Sequence, residues 1–137
     1  MKAKGNDKGF SLVELIIVIA IMAVLIGVLA PQYLKYVNNA RVSTDITNAF
    51  EMAKAVDAAH ARSYGGSVPE LIEGTGGTTV SNVPGLEVLP TCKLNPDYSW
   101  KIISTRSGGV TEVTLNGYSV YPNSEVTGGY RDEYYQD

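Results

Sequence analysis

Residues 10–30 read FSLVELIIVIAIMAVLIGVLA, apolar or glycine throughout except for Ser11 and Glu14. The stretch matches the roughly 20 residues that a membrane-crossing helix needs. Glu14 is the sole charge between Lys8 and Lys35. From Val42 the pattern changes but stays helical. Apolar residues recur at Val42, Ile46, Ala49, Phe50, Ala53, Val56 and Ala59, in steps of three or four that form one stripe. Asp45, Asn48, Glu51, Lys54 and Arg62 are assigned to the opposite, polar face, and six alanines between 49 and 61 add helix propensity. Gly65-Gly66 reads as the stop. The prediction is one helix over about 10–63. Pro31 removes a backbone donor and is expected to kink it, with Gly27 loosening the preceding turn.

Residues 65–85 are rich in Gly, Ser and Thr and read as a loop between helix and sheet, with a short turn at Pro69–Ile72. Beyond Pro84 the pattern turns to β. Leu86–Leu89 reads as a short edge strand, and Tyr98–Thr105 and Val110–Leu115 as strands. Asn116-Gly117 is the signal of a type I′ hairpin into Tyr118–Tyr121. At least a three-stranded antiparallel meander follows. Three strands need a covered face, and the stripe on residues 42–60 is the long apolar surface available. Trp100, Ile102 and Val113 are the candidates to pack on it. The expected fold is α+β, with a long N-terminal helix whose second half packs on a small antiparallel sheet.

Charge sharpens this picture. Lys2, Lys4 and Lys8 against Asp7 make residues 1–9 net +2, so the chain's −3 leaves −5 for residues 10–137. A basic start before an apolar run keeps residues 1–9 in the cytoplasm. A mildly acidic body argues against nucleic acid as a partner. The single cysteine, Cys92, excludes an intramolecular disulfide and paired-cysteine zinc or redox motifs. It reads as a small packed or loop residue, with an intermolecular disulfide as the alternative.

Chemistry is sparse. The one histidine, His60, sits on the helix without a sequence sign of a partner. No phosphate loop, HExxH or nucleophile elbow occurs. Asp132, Glu133 and Asp137 do not follow the calcium-loop pattern and read as a solvated acidic tail. Tyr118, Tyr121, Tyr130, Tyr134 and Tyr135 read as strand packing, or as a contact for a subunit or receptor. No catalytic residue, cofactor or metal site is expected.

A cleaved secretory signal would also start with bases and an apolar core. However, Pro31 would directly follow a cut at Val28-Leu29-Ala30, and Glu14 is wrong for such a core. A plain membrane anchor leaves Glu14 unexplained, since a carboxylate at the bilayer centre costs about 2.5–3.5 kcal/mol on insertion scales. The six residues Gly9, Phe10, Ser11, Leu12, Val13 and Glu14 resemble, position by position, the class III signal of type IV pilins, G-F-[ST]-L-[IV]-E. Pro31 also falls where that family commonly has a helix proline. The resemblance covers residues 1 to about 62 closely and the remainder only in general plan.

The resemblance implies a pilin fold divided into a cleaved basic leader (1–9), a membrane and filament-core helix (10–30), an amphipathic continuation (31–64), a loop (65–85) and a sheet with a C-terminal tail (86–137). It implies cleavage by a prepilin peptidase between Gly9 and Phe10, followed by N-methylation of Phe10. The chain would rest in the cytoplasmic membrane with its head outside, then join an extracellular helical homopolymer with the help of an assembly platform and minor pilins. Glu14 would pair with the Phe10 ammonium of a neighbouring subunit. The resemblance leaves open a major pilin, a minor pilin, or a pseudopilin of type II secretion or DNA uptake. The lack of a disulfide looks like the pilins of Gram-positive anaerobes.

Overall fold

The computed structural model describes residues 9–62, 68–105, 107 and 109–136. The leader up to Lys8, the Gly65-Gly66 stop, Gly108 and Asp137 lie outside the described residues. Six elements are present: α1 (Leu12–Arg62), β1 (Leu71–Gly74), β2 (Trp100–Thr105), β3 (Gly109–Leu115), β4 (Tyr118–Tyr121) and α2 (Tyr130–Tyr134). The strands form one antiparallel sheet in the order β1-β2-β3-β4. The expected α+β fold, a long N-terminal helix and an antiparallel sheet, is therefore present. The chain divides into two compact units, residues 1–35 and 36–137.

In the first unit every described residue is exposed, including the apolar run. α1 passes through Gly27 and Pro31. Its stretch here is apolar enough, and α1 long enough, to cross a membrane.

The second unit carries the core. Val42, Ala49, Met52, Ala53, Val56 and Ala59 of α1 are buried in one cluster with Ile72, Trp100, Ile102, Val113, Leu115, Val120 and Tyr130. Trp100, Ile102 and Val113 point inward as expected. β2 alternates, with Trp100, Ile102 and Ser104 buried and Lys101 and Thr105 exposed. Trp100 pairs with Leu115 and Ile102 with Val113, so large residues meet across the strands on the covered face. The Trp100 indole donates to the Pro90 carbonyl at 2.7 Å, which removes the cost of burying its N–H. The β3–β4 turn has positive φ at both Asn116 (52°) and Gly117 (85°), as a type I′ hairpin requires.

Several expectations need correction. β1 lies inside the stretch read as a loop, pairing Leu71 with Ile103 and Ile72 with Ile102. At four residues it is too short to show an alternating pattern, and the β2 edge supplies its partner. Leu86–Leu89 is not a strand of the sheet. It instead folds back on residues 77–80, through Leu89 N–H to Thr78 O (2.9 Å), Val80 N–H to Glu87 O (2.8 Å) and one isolated bridge. Pro84 and Pro90, which lack N–H donors, confine that ladder. The tail contains a short helix: Asp132 and Glu133 are exposed as expected, but Tyr130 is fully buried. Tyr134 stacks against Tyr98, Tyr118 and Tyr130 with ring centroids 5.0–5.8 Å apart.

The largest correction concerns Asp45, assigned by polarity to the solvent face of α1. It is 0% exposed. Its position three residues after Val42 and four before Ala49 places it within the stripe itself. Oδ1 accepts from Lys93 N–H (2.7 Å), and Oδ2 accepts from Leu94 N–H, the Cys92 thiol and the Tyr130 hydroxyl (each 3.0 Å).

A second helix carboxylate, Asp57, accepts the Val110 N–H at 2.6 Å and so anchors the start of β3. Gly109 precedes it at φ +80°, and a Cβ there would press on the Asp57 carboxylate. Gly109→Ala should therefore lower stability by about 1–2 kcal/mol, the scale of left-handed strain for a non-glycine residue. The check is the denaturation midpoint of the full chain in detergent micelles.

Candidate processing and assembly segment

Gly9 and Phe10 precede α1 and are exposed, Phe10 to 93%. A Cβ built on Gly9 meets no atom within 4 Å. Among the described residues, no close contact demands glycine at this position.

Helix initiation explains why Gly9 and Phe10 lie outside α1. Ser11 Oγ accepts the Glu14 N–H at 3.2 Å, and Glu14 Oε2 accepts the Ser11 N–H at 3.2 Å. This reciprocal pair is a capping box, S-x-x-E, which satisfies donors that an α-helix leaves free in its first turn. The Glu14 carboxylate also sits where the helix dipole favours negative charge. The spacing of Ser11 and Glu14 in Ser11-Leu12-Val13-Glu14 was the signal available in the sequence. Within one chain, then, Glu14 already has a partner in its own helix terminus.

Beyond the box, α1 exposes large apolar side chains on all sides, among them Leu15, Ile16, Ile17, Val18 and Ile19, through to Leu34. A helix apolar all round belongs in a membrane or in the core of a larger body, and patches this extensive are rare on monomeric soluble proteins. Gly9, Phe10 and Glu14 lie together at the start of this surface. Gly27 and Pro31 lie further along, and a Cβ on Gly27 meets no atom within 4 Å.

Elsewhere, among the described residues, no group of three or more His, Cys, Asp or Glu could hold a metal ion. His60 is half-buried and its Nε2 lies 3.0 Å from Ser104 Oγ, a structural contact between helix and β2. Arg131 pairs with Glu125 at 2.9 Å and lies 4.6 Å from the centre of the Tyr135 ring.

A capped, outwardly apolar helix that continues into the cover of an antiparallel sheet defines a pilin-like architecture. Residues 4–30 match the family model of the prokaryotic N-terminal methylation motif. Over 54 residues the chain is 37% identical to the type IV major fimbrial protein FimA of Dichelobacter nodosus. That match covers 39% of this chain and 35% of the relative. Two further FimA sequences of the same organism align at the same identity, covering 35% and 34% of their lengths. The matched segment thus spans about a third of these curated relatives. No solved structure matches the chain. Motif and architecture together are similar to those of the type IV pilins, a likeness that the sequence matches carry over the N-terminal part of the chain.

Ser11→Ala should fray the first turn while Ser11→Thr preserves it. Losing an N-cap costs about 1 kcal/mol, so exchange of the Glu14 amide should quicken about fivefold. Amide exchange of the full chain in micelles checks this.

Proposed function

We propose that the chain is the structural subunit of an extracellular type IV pilus, cut between Gly9 and Phe10 by a prepilin peptidase and N-methylated at Phe10. The observation that carries this reading is the exposed apolar stretch of α1, which holds one carboxylate, at Glu14. Before assembly, the bilayer covers that surface. After assembly, the same surface of neighbouring copies covers it, so the anchor becomes the filament core.

Cleavage creates a new ammonium at Phe10, four residues from Glu14. Methylation leaves that amine basic. The capping bond engages Oε2, and a carboxylate has about four lone-pair sites. Glu14 can therefore cap its own helix and still receive the Phe10 ammonium of a neighbour. Each charge is costly alone in an apolar surrounding, and removing one partner of a buried pair costs about 3–5 kcal/mol. An out-of-register subunit would leave both charges bare, so the pair selects register as well as contact. Gly27 and Pro31 supply a soft region where the helix can adapt to packing. The assembly platform and minor pilins are the remaining partners in this reading.

Two outcomes test it. Mass spectrometry of the assembled form should give a chain beginning at N-methyl-Phe10. A chain beginning at Met1 or Pro31 would contradict the proposed cut. Glu14→Ala should still be processed but yield at least tenfold fewer filaments by electron microscopy with a subunit-specific antibody, and normal yield would refute the pairing.

A further inference from the structure

The second unit closes without a covalent cross-link, because its one cysteine has no partner in the chain. Its C-terminal region is nonetheless gathered onto α1 at a few polar points. Asn38 donates to the Tyr134 carbonyl (3.0 Å). Asn39 pairs with the backbone of Gln136 in both directions (2.7 and 2.9 Å). Those amides are near the surface. Asp45, one turn and a half further along the same helix, is in the core.

An ionised carboxylate is acceptor-only, with about four lone-pair sites. Asp45 meets four donors from two places: the 92–94 segment gives the backbone amides of Lys93 and Leu94 and the thiol of Cys92, and α2 gives the hydroxyl of Tyr130. The donors lie 47 to 85 residues away in sequence. Cys92 is 1% exposed and also touches the Tyr130 hydroxyl (3.7 Å) and the Asn95 N–H (3.5 Å). No buried side-chain polar atom is left without a partner among the described residues.

We propose that the Asp45 carboxylate is an ionic staple that holds the 92–94 segment and α2 on α1, and that the Cys92 thiol reacts only when this staple opens locally. Burial pushes the Cys92 thiol up, and burial likewise raises the Tyr130 hydroxyl, so both stay protonated and donate. An apolar residue of similar volume could fill the site but would take the acceptor from two consecutive part-buried N–H groups, from the thiol and from the hydroxyl. The network is thus satisfied as a whole or not at all. A consequence follows for a chain with one cysteine: its disulfide can form only with another molecule, and the closed staple withholds the thiol from that reaction.

Cys92 makes the test direct, since maleimide labelling of the full chain in micelles reads one site. Hydrogen bonds to charged groups are worth about 1.5–3 kcal/mol, so Asp45→Asn should speed labelling at least tenfold. Tyr130→Phe, which keeps the ring and removes one donor, should speed it about three- to tenfold. Asp57→Asn, which loosens the start of β3 on the same helix, should leave the rate within twofold of the parent. Parent-like rates in both Asp45→Asn and Tyr130→Phe would overturn the proposal. So would equal acceleration by Asp57→Asn, because labelling would then report general unfolding.

Discussion

Everything in the second unit depends on one constraint: a small antiparallel sheet must have its apolar face covered, and a single helix stripe covers it. Val42, Ala49, Ala53 and Val56 of the stripe are buried in one cluster with Trp100, Ile102, Val113 and Leu115 of the sheet. The same backbone helix, earlier in the chain, carries apolar residues on every side and leaves them exposed. α1 thus has two kinds of surface. One is buried within the chain, and the other is exposed among the described residues.

Two carboxylates on α1 answer the two environments differently. Glu14 lies among exposed apolar residues and is held by the first turn of its own helix, through the capping box with Ser11. Asp45 lies in the core and is held by donors brought from far along the chain. Asp45 would not stay buried as an unpartnered charge, since burying one uncompensated is far more costly than any single contact repays. In both cases the polar residue sits within an apolar pattern.

The N-terminal motif was legible because its signals are local. Gly9 through Glu14 form a contiguous motif, the apolar run is long enough to cross a bilayer, and Asn116-Gly117 dictates a tight turn by its own backbone preferences. The helix stripe was legible for the same reason, with a period that belongs to one element. The capping box was not read from the sequence, although its S-x-x-E spacing is equally local, and it gives Glu14 a role within the single chain.

The sequence by itself determined the apolar stretch, the N-terminal methylation motif, the amphipathic helix and the last hairpin, because each rests on neighbours within a few residues. Tertiary structure alone decided that Leu71–Gly74 becomes a strand, since only the edge of β2 supplies its hydrogen bonds. It decided that Leu86–Leu89 folds back on residues 77–80 rather than joining the sheet. It also decided the fate of Asp45. A charged letter on a helix suggests solvent, and only donors folded in from residues 92–94 and from Tyr130 make its burial affordable. Local pattern specifies which surfaces exist, and the long-range partners specify which of them are buried.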